Sequence, residues 1–337
     1  MSSAIRTYLF TGITGQLGRA FVRTLSLDKN NYIIGVCRKE SYKYAQKIFS
    51  DYDNVLLIMA AEGEKALLRG LLSLYRPDVI GHLAAQSSVF GANQAPISYF
   101  NSNVDQTLNV LESIRHVTKI SPSYKPKFFN MSSIEIFGNS DGAIIEKRNE
   151  NTSISPSNIY GASKAAAHIF VDTYRSVYGI YCNNIISANF TSEFQNINFV
   201  GAKIIDYLLS QKDEKLTLGN INSIRDWSYV DDIVNGILVS LTPDESGNYC
   251  ISSGNINTVE EFAQIAFNKV GISNYKNYIN IENKLIRIGD TNFTNIDCSK
   301  LRSIGWTPMY NIEQLIDKII KAKRANINVR PNKLANN

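Results

Sequence analysis

Four residues in two short stretches have the types and spacing for proton chemistry on an alcohol. Ser133 and Glu135 lie in Ser132-Ser133-Ile134-Glu135-Ile136-Phe137-Gly138, and Tyr160 and Lys164 lie in Tyr160-Gly161-Ala162-Ser163-Lys164. Positions i and i+4 of a helix share a face, so a helix over the second stretch points Tyr160 and Lys164 the same way. A cation beside a phenol stabilises the phenolate and lowers its pKa. A serine hydroxyl close by can bind the same substrate oxygen. Together these groups move a proton on and off an alcohol during a redox step. Glu135 places a carboxylate two residues beyond Ser133. The competing readings are bland: a surface helix with an aromatic and a snorkelling lysine, and a salt-bridged structural acid at Glu135. The surrounding elements decide between them.

Phe128-Phe129-Asn130-Met131, with Pro126 before it and Gly138 after it, reads as a buried strand of a parallel sheet that ends at Ser133. Beyond Gly161 the run through Ala162, Ala165, Ala166, Ala167 and Ile169 meets no further Gly or Pro until Gly179, so a helix is expected there. Near the start of the chain, the strand Thr7–Phe10 feeds into Thr11-Gly12-Ile13-Thr14-Gly15-Gln16-Leu17-Gly18 and then a helix. Glycines at 12, 15 and 18 allow a tight turn, approach of a pyrophosphate to backbone, and close helix–strand packing. The helix N-terminus then offers free N–H groups to phosphate. The second strand, Tyr32–Cys37, ends in Arg38-Lys39 and not in an acid, which favours NADP over NAD; the alternative is solvated loop charge.

A third strand is expected at Val55–Ile58, a helix from Glu64 to Leu74, and a fourth strand at Val79–Leu83. That strand ends in Ala84-Ala85-Gln86-Ser87, small residues suited to backbone against a cofactor. His82 reads as a core histidine. A helix over Asn101–Arg115 and a strand at Asn183–Ile186 follow. Strands alternating with helices make an α/β fold, a Rossmann-type doubly wound parallel sheet, with ligands at the C-terminal strand ends. Past a polar loop at Asn189–Asn198 the periodicity loosens. Helices near Ala202–Leu209, Val259–Val270 and Ile312–Arg324 accompany a smaller α+β substrate lobe. Trp227 and Tyr229 read as packing, and Asp231 and Asp232 as an N-cap and first turn. The division expected is residues 1–188 plus about 228–255 for the cofactor, 189–227 and 256–325 for the substrate, and a frayed tail over 326–337.

Composition excludes several classes. With 337 residues, 44% hydrophobic and 19% charged, the chain has the make-up of a soluble globular protein larger than one average domain. Its 35 basic and 30 acidic residues are interspersed, leaving +5 and no basic block for nucleic acid. The four cysteines form no CxxC pair and the three histidines are scattered, so neither a metal site nor a disulfide framework is expected. No apolar run reaches membrane-spanning length and no leader pattern opens the chain, which points to a reducing, cytoplasmic setting.

The motifs together resemble the extended short-chain dehydrogenase/reductases that modify nucleotide sugars, and within them most closely the GDP-mannose 4,6-dehydratases. Thr11–Gln16, Ala84–Ser87, Leu218-Gly219-Asn220, Arg225-Asp226-Trp227 and Ile304-Gly305-Trp306 carry the likeness, from the Gly-rich turn to about Pro308. The resemblance implies a tightly held NADP, an NDP-hexose or NDP-heptose substrate with GDP favoured, a redox-neutral dehydration, and a homo-oligomer, dimer or tetramer. It implies Ser133, Tyr160 and Lys164 as the oxidation triad and Glu135 as the second base. It implies cofactor contacts at Gly12, Thr14, Gly15, Gln16, Leu17, Gly18, Arg38, Ala84 and Ala85, with Tyr160 and Lys164, and substrate contacts at Ser87, Asn189, Arg225, Arg287 and Asp290. The sequence departs from the pattern at Ile134, where dehydratases carry a polar residue, at Ala60-Ala61, in place of an Asp-Leu pair, and in Ala188–Asn198, which lacks paired arginines. A 4-keto sugar reductase or C4 epimerase on the same fold, and a non-catalytic NADP-binding protein, are the alternatives.

Overall fold

A run of apolar β-prone segments builds one large sheet, and its topology sets where every functional group falls. The computed structural model describes residues 6–61, 65–139, 147–210, 214–282, 285 and 295–328. The strands are β1 (Arg6–Thr11), β2 (Asn31–Arg38), β3 (Val55–Ala60), β4 (Val79–His82), β5 (Lys127–Met131), β6 (Cys182–Ser187), β7 (Phe190–Thr191), β8 (Leu216–Leu218), β9 (Ile224–Asp226), β10 (Ser228–Tyr229), β11 (Asn248–Ile251), β12 (Ile256–Thr258) and β13 (Ile279–Ile281). Seven of them form a sheet in the order β11-β6-β5-β4-β1-β2-β3, and every pair in it is parallel. Chain direction of travel across the sheet reverses between β1 and β4, and ligands of such sheets bind outside the strand ends at that point.

The helices are α1 (Gln16–Leu25), α2 (Lys39–Ile48), α3 (Lys65–Tyr75), α4 (Val89–Gln94), α5 (Pro96–Phe100), α6 (Gln106–Ile120), α7 (Ile159–Tyr178), α8 (Val200–Leu209), α9 (Val230–Ser240), α10 (Val259–Lys269), α11 (Ser299–Ser303) and α12 (Ile312–Asn328). Two cores cover the two faces of the sheet. Leu9, Ile80, Phe128 and Cys182 pack with residues of α3, α6 and α7, while Phe10, Phe129, Ile185 and Ile186 pack with α1 and α9. Alternation divides these sets along β1 and β5, where Leu9 and Phe128 face one way and Phe10 and Phe129 the other. Among the described residues of the small lobe and its junction are three two-stranded sheets, β10–β7, β12–β9 and β13–β8, with α8, α10 and α12 packed beside them.

Several expectations are corrected. The helix expected from Asn101 begins as a π-helical turn, Asn101–Asp105, before α6 takes over. Residues after Arg38 are not loop: α2 starts at Lys39, with Arg38 as its N-cap. Neither Asp231 nor Asp232 caps a helix. Tyr229 is the N-cap of α9, and both acids sit in its first turn. Asp231 pairs with Arg23 and Lys318, and buried Asp232 accepts hydrogen bonds from the N–H groups of Met309 and Tyr310. The helix expected from Glu64 starts at Lys65 among the described residues, and α12 continues to Asn328, so only 329–337 of the expected tail lies outside them.

Candidate active site

The Gly-rich turn joins β1 to α1 at the reversal point. Gly12 has φ +70°, and a Cβ there would lie 2.6 Å from Ala84 N and 2.7 Å from Ala84 Cα. Only glycine lets the turn press against the end of β4, which puts Gly12 beside Ala84. Gly12 N–H donates to Val36 O at 3.0 Å, so the turn is anchored to β2 as well. The N-cap of α1 is Gly15, without a side-chain cap and without an acid in the first turn. The first N–H groups of α1 are therefore open to an anion, and the turn fits the pyrophosphate of a dinucleotide. Thr14 and Gln16 border the turn, half-buried, and Gln16 Oε1 accepts from Ser192 Oγ at 2.9 Å. Leu17 is buried in the core, so it can offer a ligand only backbone. Arg38 is exposed at the C-terminal end of β2, two strands from β4 in the sheet.

At the end of β5 the chain tightens into a 3₁₀ turn, Ile134–Phe137, capped by Ser133, whose Oγ accepts from Glu135 N–H at 3.2 Å. Helix α7 begins directly against this turn. A Cβ on Gly161 would lie 2.4 Å from Glu135 O, so glycine is what lets the two segments touch. This contact brings Ser133, Glu135 and Tyr160 together, with Lys164 one turn along α7 from Tyr160. Tyr160 is buried, shares a hydrogen bond with Ser133, and meets Tyr99 edge-on at 6.5 Å between ring centroids. Contrary to the lowering expected from Lys164, burial pushes the Tyr160 phenol up, the Ser133 hydrogen bond opposes this, and the Glu135 charge adds to it. Lys164, one turn on, is buried and donates to Met131 O at 2.8 Å; burial pulls its pKa down to about 8. Ile134 is buried in the core and takes no part in the polar cluster. Glu135 is half-buried, and its Oε2 accepts from Asn158 Nδ2 at 2.8 Å.

Behind the cluster, buried polar groups follow strand register. Thr11, His82 and Asn130 are Cα partners on β1, β4 and β5, and His82 Nδ1 lies 2.7 Å from Thr11 Oγ1. Burial, reinforced by the Lys164 charge, pulls His82 down to about 3, so it stays neutral. Buried Asn103, in the π turn, donates to Gln86 O and to Ser163 Oγ and accepts from Gln86 N–H. It thereby ties the segment after β4 to α7. Sequence reasoning missed Asn103 and Asn158. The first leaves no signal beyond a polar residue in an apolar helix face. The second stands where an N-cap is expected, just ahead of a helix.

Across the strand ends, the small lobe holds a cavity of about 130 Å³. Asn189 and Arg225 line it together with Trp227, Leu218, Gly219 and Asn220. Trp227 is buried, its ring 4.3 Å from that of Phe262. Ser87 lies exposed past the end of β4 and is not part of this lining. Arg287 and Asp290 lie outside the described residues.

Three comparisons bear on identity. Residues 9–319 match the family model described as GDP-mannose 4,6 dehydratase. The chain is 31% identical over 324 residues to GDP-mannose 4,6 dehydratase 2 of Arabidopsis thaliana, covering 93% of this chain and 85% of that one. It is 26% identical over 356 residues to GDP-mannose 4,6 dehydratase of Homo sapiens, covering 96% and 93%. Among solved structures, dTDP-glucose 4,6-dehydratase from Streptomyces venezuelae, with NAD bound, superposes with a TM-score of 0.83 at 21% identity, covering 96% of this chain and 98% of that one. UDP-glucose 4-epimerase from Thermotoga maritima gives 0.81 at 21% identity, covering 95% and 99%. The two structures establish the fold, and the family model and the plant relative establish the lineage: the chain belongs to the GDP-mannose 4,6-dehydratase family.

Proposed function

We propose that the protein converts a GDP-linked hexose to its 4-keto-6-deoxy derivative with the loss of one water. The observation that carries this is the Glu135 carboxylate, close enough to Tyr160 for its charge to act on the phenol. A reductase or epimerase needs Tyr160 and Lys164 but no second base. NADP, held at the Gly12–Gly18 turn with Arg38 at its 2′-phosphate, would supply the hydride acceptor for C4 and the hydride donor for C6. Tyr160 takes the proton of the 4-hydroxyl, and Ser133 hydrogen-bonds the oxygen as it becomes a ketone. Lys164, charged below about pH 8, holds its ammonium beside the Met131 carbonyl at the foot of this site. The 4-ketone acidifies the C5 proton, and Glu135 removes it. The 6-hydroxyl then departs as water with the proton Glu135 collected, and C5 regains a proton from solvent. The proton on Tyr160 returns to solvent, so atoms and charge balance over one cycle.

NADP is favoured over NAD by Arg38, exposed where β2 ends, with Lys39 opening α2. Arg225, which lines the cavity, suits the substrate diphosphate, and Asn189 lines the same cavity. Ser87, Arg287 and Asp290 complete the proposed substrate contacts. The cofactor part is residues 1–188 with about 228–255, supported by the pairing of β11 with β6, and 189–227 with 256–325 form the substrate part. A homo-oligomer is supported by exposed Ile97 and Phe100 on α5 and by Ile169, Phe170 and Val177 along one side of α7. Four buried free thiols suit a reducing compartment such as the cytoplasm, and no described helix is long and apolar enough to cross a membrane. Incubation with a panel of NDP-sugars, read by mass spectrometry, tests the reading. Loss of one water from a GDP-sugar is expected; no loss from any sugar overturns it.

A further inference from the structure

Asn158 stands between the two halves of the candidate site, and its two amide ends do different things. Its Oδ1 accepts from Gly161 N–H at 2.7 Å, capping α7 two residues ahead of Tyr160. Its Nδ2 donates to Glu135 Oε2 at 2.8 Å. The orientation of the amide is not ambiguous: a backbone N–H needs an acceptor and a carboxylate needs a donor, so the oxygen faces Gly161 and the nitrogen faces Glu135. A second group attends the same carboxylate. Arg148 is close enough for the Glu135 charge to act on its guanidinium, and it is pinned by a hydrogen bond to Gly138 O.

We propose that Asn158 is a positioning residue for Glu135: one amide fixes the start of the helix that carries Tyr160 and aims the carboxylate that acts at the neighbouring carbon. Without the Nδ2 donor, the Glu135 carboxylate loses one of the contacts that aim it, and a misplacement of about 1 Å at a reacting group costs up to roughly a hundredfold. The helix cap and the carboxylate clamp separate experimentally because glycine is itself an acceptable N-cap. Replacing Asn by Gly at that position costs a few tenths of a kcal/mol, and by Ala about 1 kcal/mol.

This inference rests on the dehydratase reading. The test uses the full chain with its cofactor, GDP-mannose as substrate, and solvent D₂O, comparing N158G and N158A with the unsubstituted protein. Deuterium uptake at C5 is expected to fall about ten- to hundredfold, equally in both variants. C4 oxidation, followed by absorbance of the reduced cofactor in a single turnover, is expected to stay within about threefold, so that reduced cofactor accumulates. Tm is expected to fall further in N158A than in N158G. C5 uptake in N158G within about twofold of the parent, or a loss that follows Tm across the two variants, overturns the positioning role. No C5 uptake in the unsubstituted protein overturns the dehydratase reading itself, and the inference with it.

Discussion

The end of the large sheet and the edge of the small lobe bury polar groups of opposite kinds. At the sheet end they are bases whose pKa burial lowers, His82 down to about 3 and Lys164 down to about 8. Where the lobe meets α9 they are acids, with Asp226 in the lobe pushed up by burial and Asp232 in the first turn of α9 pushed up to about 6. The bases are placed by strand register and by one turn of α7. The acids are held by segments distant in sequence: Gly254 N–H and the Ser252 and Ser253 hydroxyls on Asp226, Met309 N–H on Asp232. One region is assembled by the register of parallel strands and one turn of α7, and holds the proposed chemistry. The other is assembled by loops and strands of two or three residues, and holds the cavity. Changes in the first should remove turnover, and changes in the second should alter substrate affinity or stability.

The largest effect is expected at Tyr160. Y160F should lower kcat by roughly 10²–10⁴-fold with the fold intact, because the group that takes the 4-hydroxyl proton is gone; circular dichroism and steady-state turnover check it. Substitution of Gly12 comes next. In G12A the methyl meets Ala84 backbone and φ is positive, so a stability loss of about 1–3 kcal/mol and weaker dinucleotide binding are expected, read by denaturant unfolding and by cofactor titration. On the other side of the comparison, R225A should raise KM for a GDP-sugar about tenfold while kcat changes little, since a charged hydrogen bond to the diphosphate serves ground and transition states alike. A fall in kcat at unchanged KM would break the division between the two regions.

The smallest expected effects sharpen the contrast by sign. His82 has a depressed folded pKa, so its contribution to stability is present above about pH 6.5 and is lost as pH falls toward about 3. Asp232 has a raised one, so its contribution is present below about pH 3.8 and is lost as pH rises through about 6. Each imposes a slope of at most about 1.4 kcal/mol per pH unit within its window. Unfolding free energies measured across pH 4–6.5 should show a weaker acid loss in H82Q than in the parent and a steeper one in D232N.

The same contrast explains what the sequence reveals. The strands at Arg6–Thr11, Asn31–Arg38 and Lys127–Met131 read out because buried parallel strands are short apolar runs bounded by Gly, Pro or charge. The cluster of Ser133, Glu135, Tyr160 and Lys164 is legible because a strand end and an i, i+4 spacing fix its members locally. The π turn at Asn101–Asp105 escapes notice because its composition is that of an ordinary helix. The pairs β10–β7, β12–β9 and β13–β8 escape because strands of two or three residues carry no periodicity. Their pairing is decided by tertiary packing. Asn158 is visible as a cap, but its bond to Glu135 joins two segments whose contact depends on Gly161 lying against the turn after β5.

The most direct measurement is the fate of the hydrogens when the protein turns over GDP-mannose in D₂O. The account predicts a product lighter by one water before isotopic correction, one deuterium at C5, the original C4 hydrogen at C6, and no net change in NADPH. A product that keeps its 6-hydroxyl and its C5 hydrogen, whether epimerised at C4 or unaltered, would contradict it.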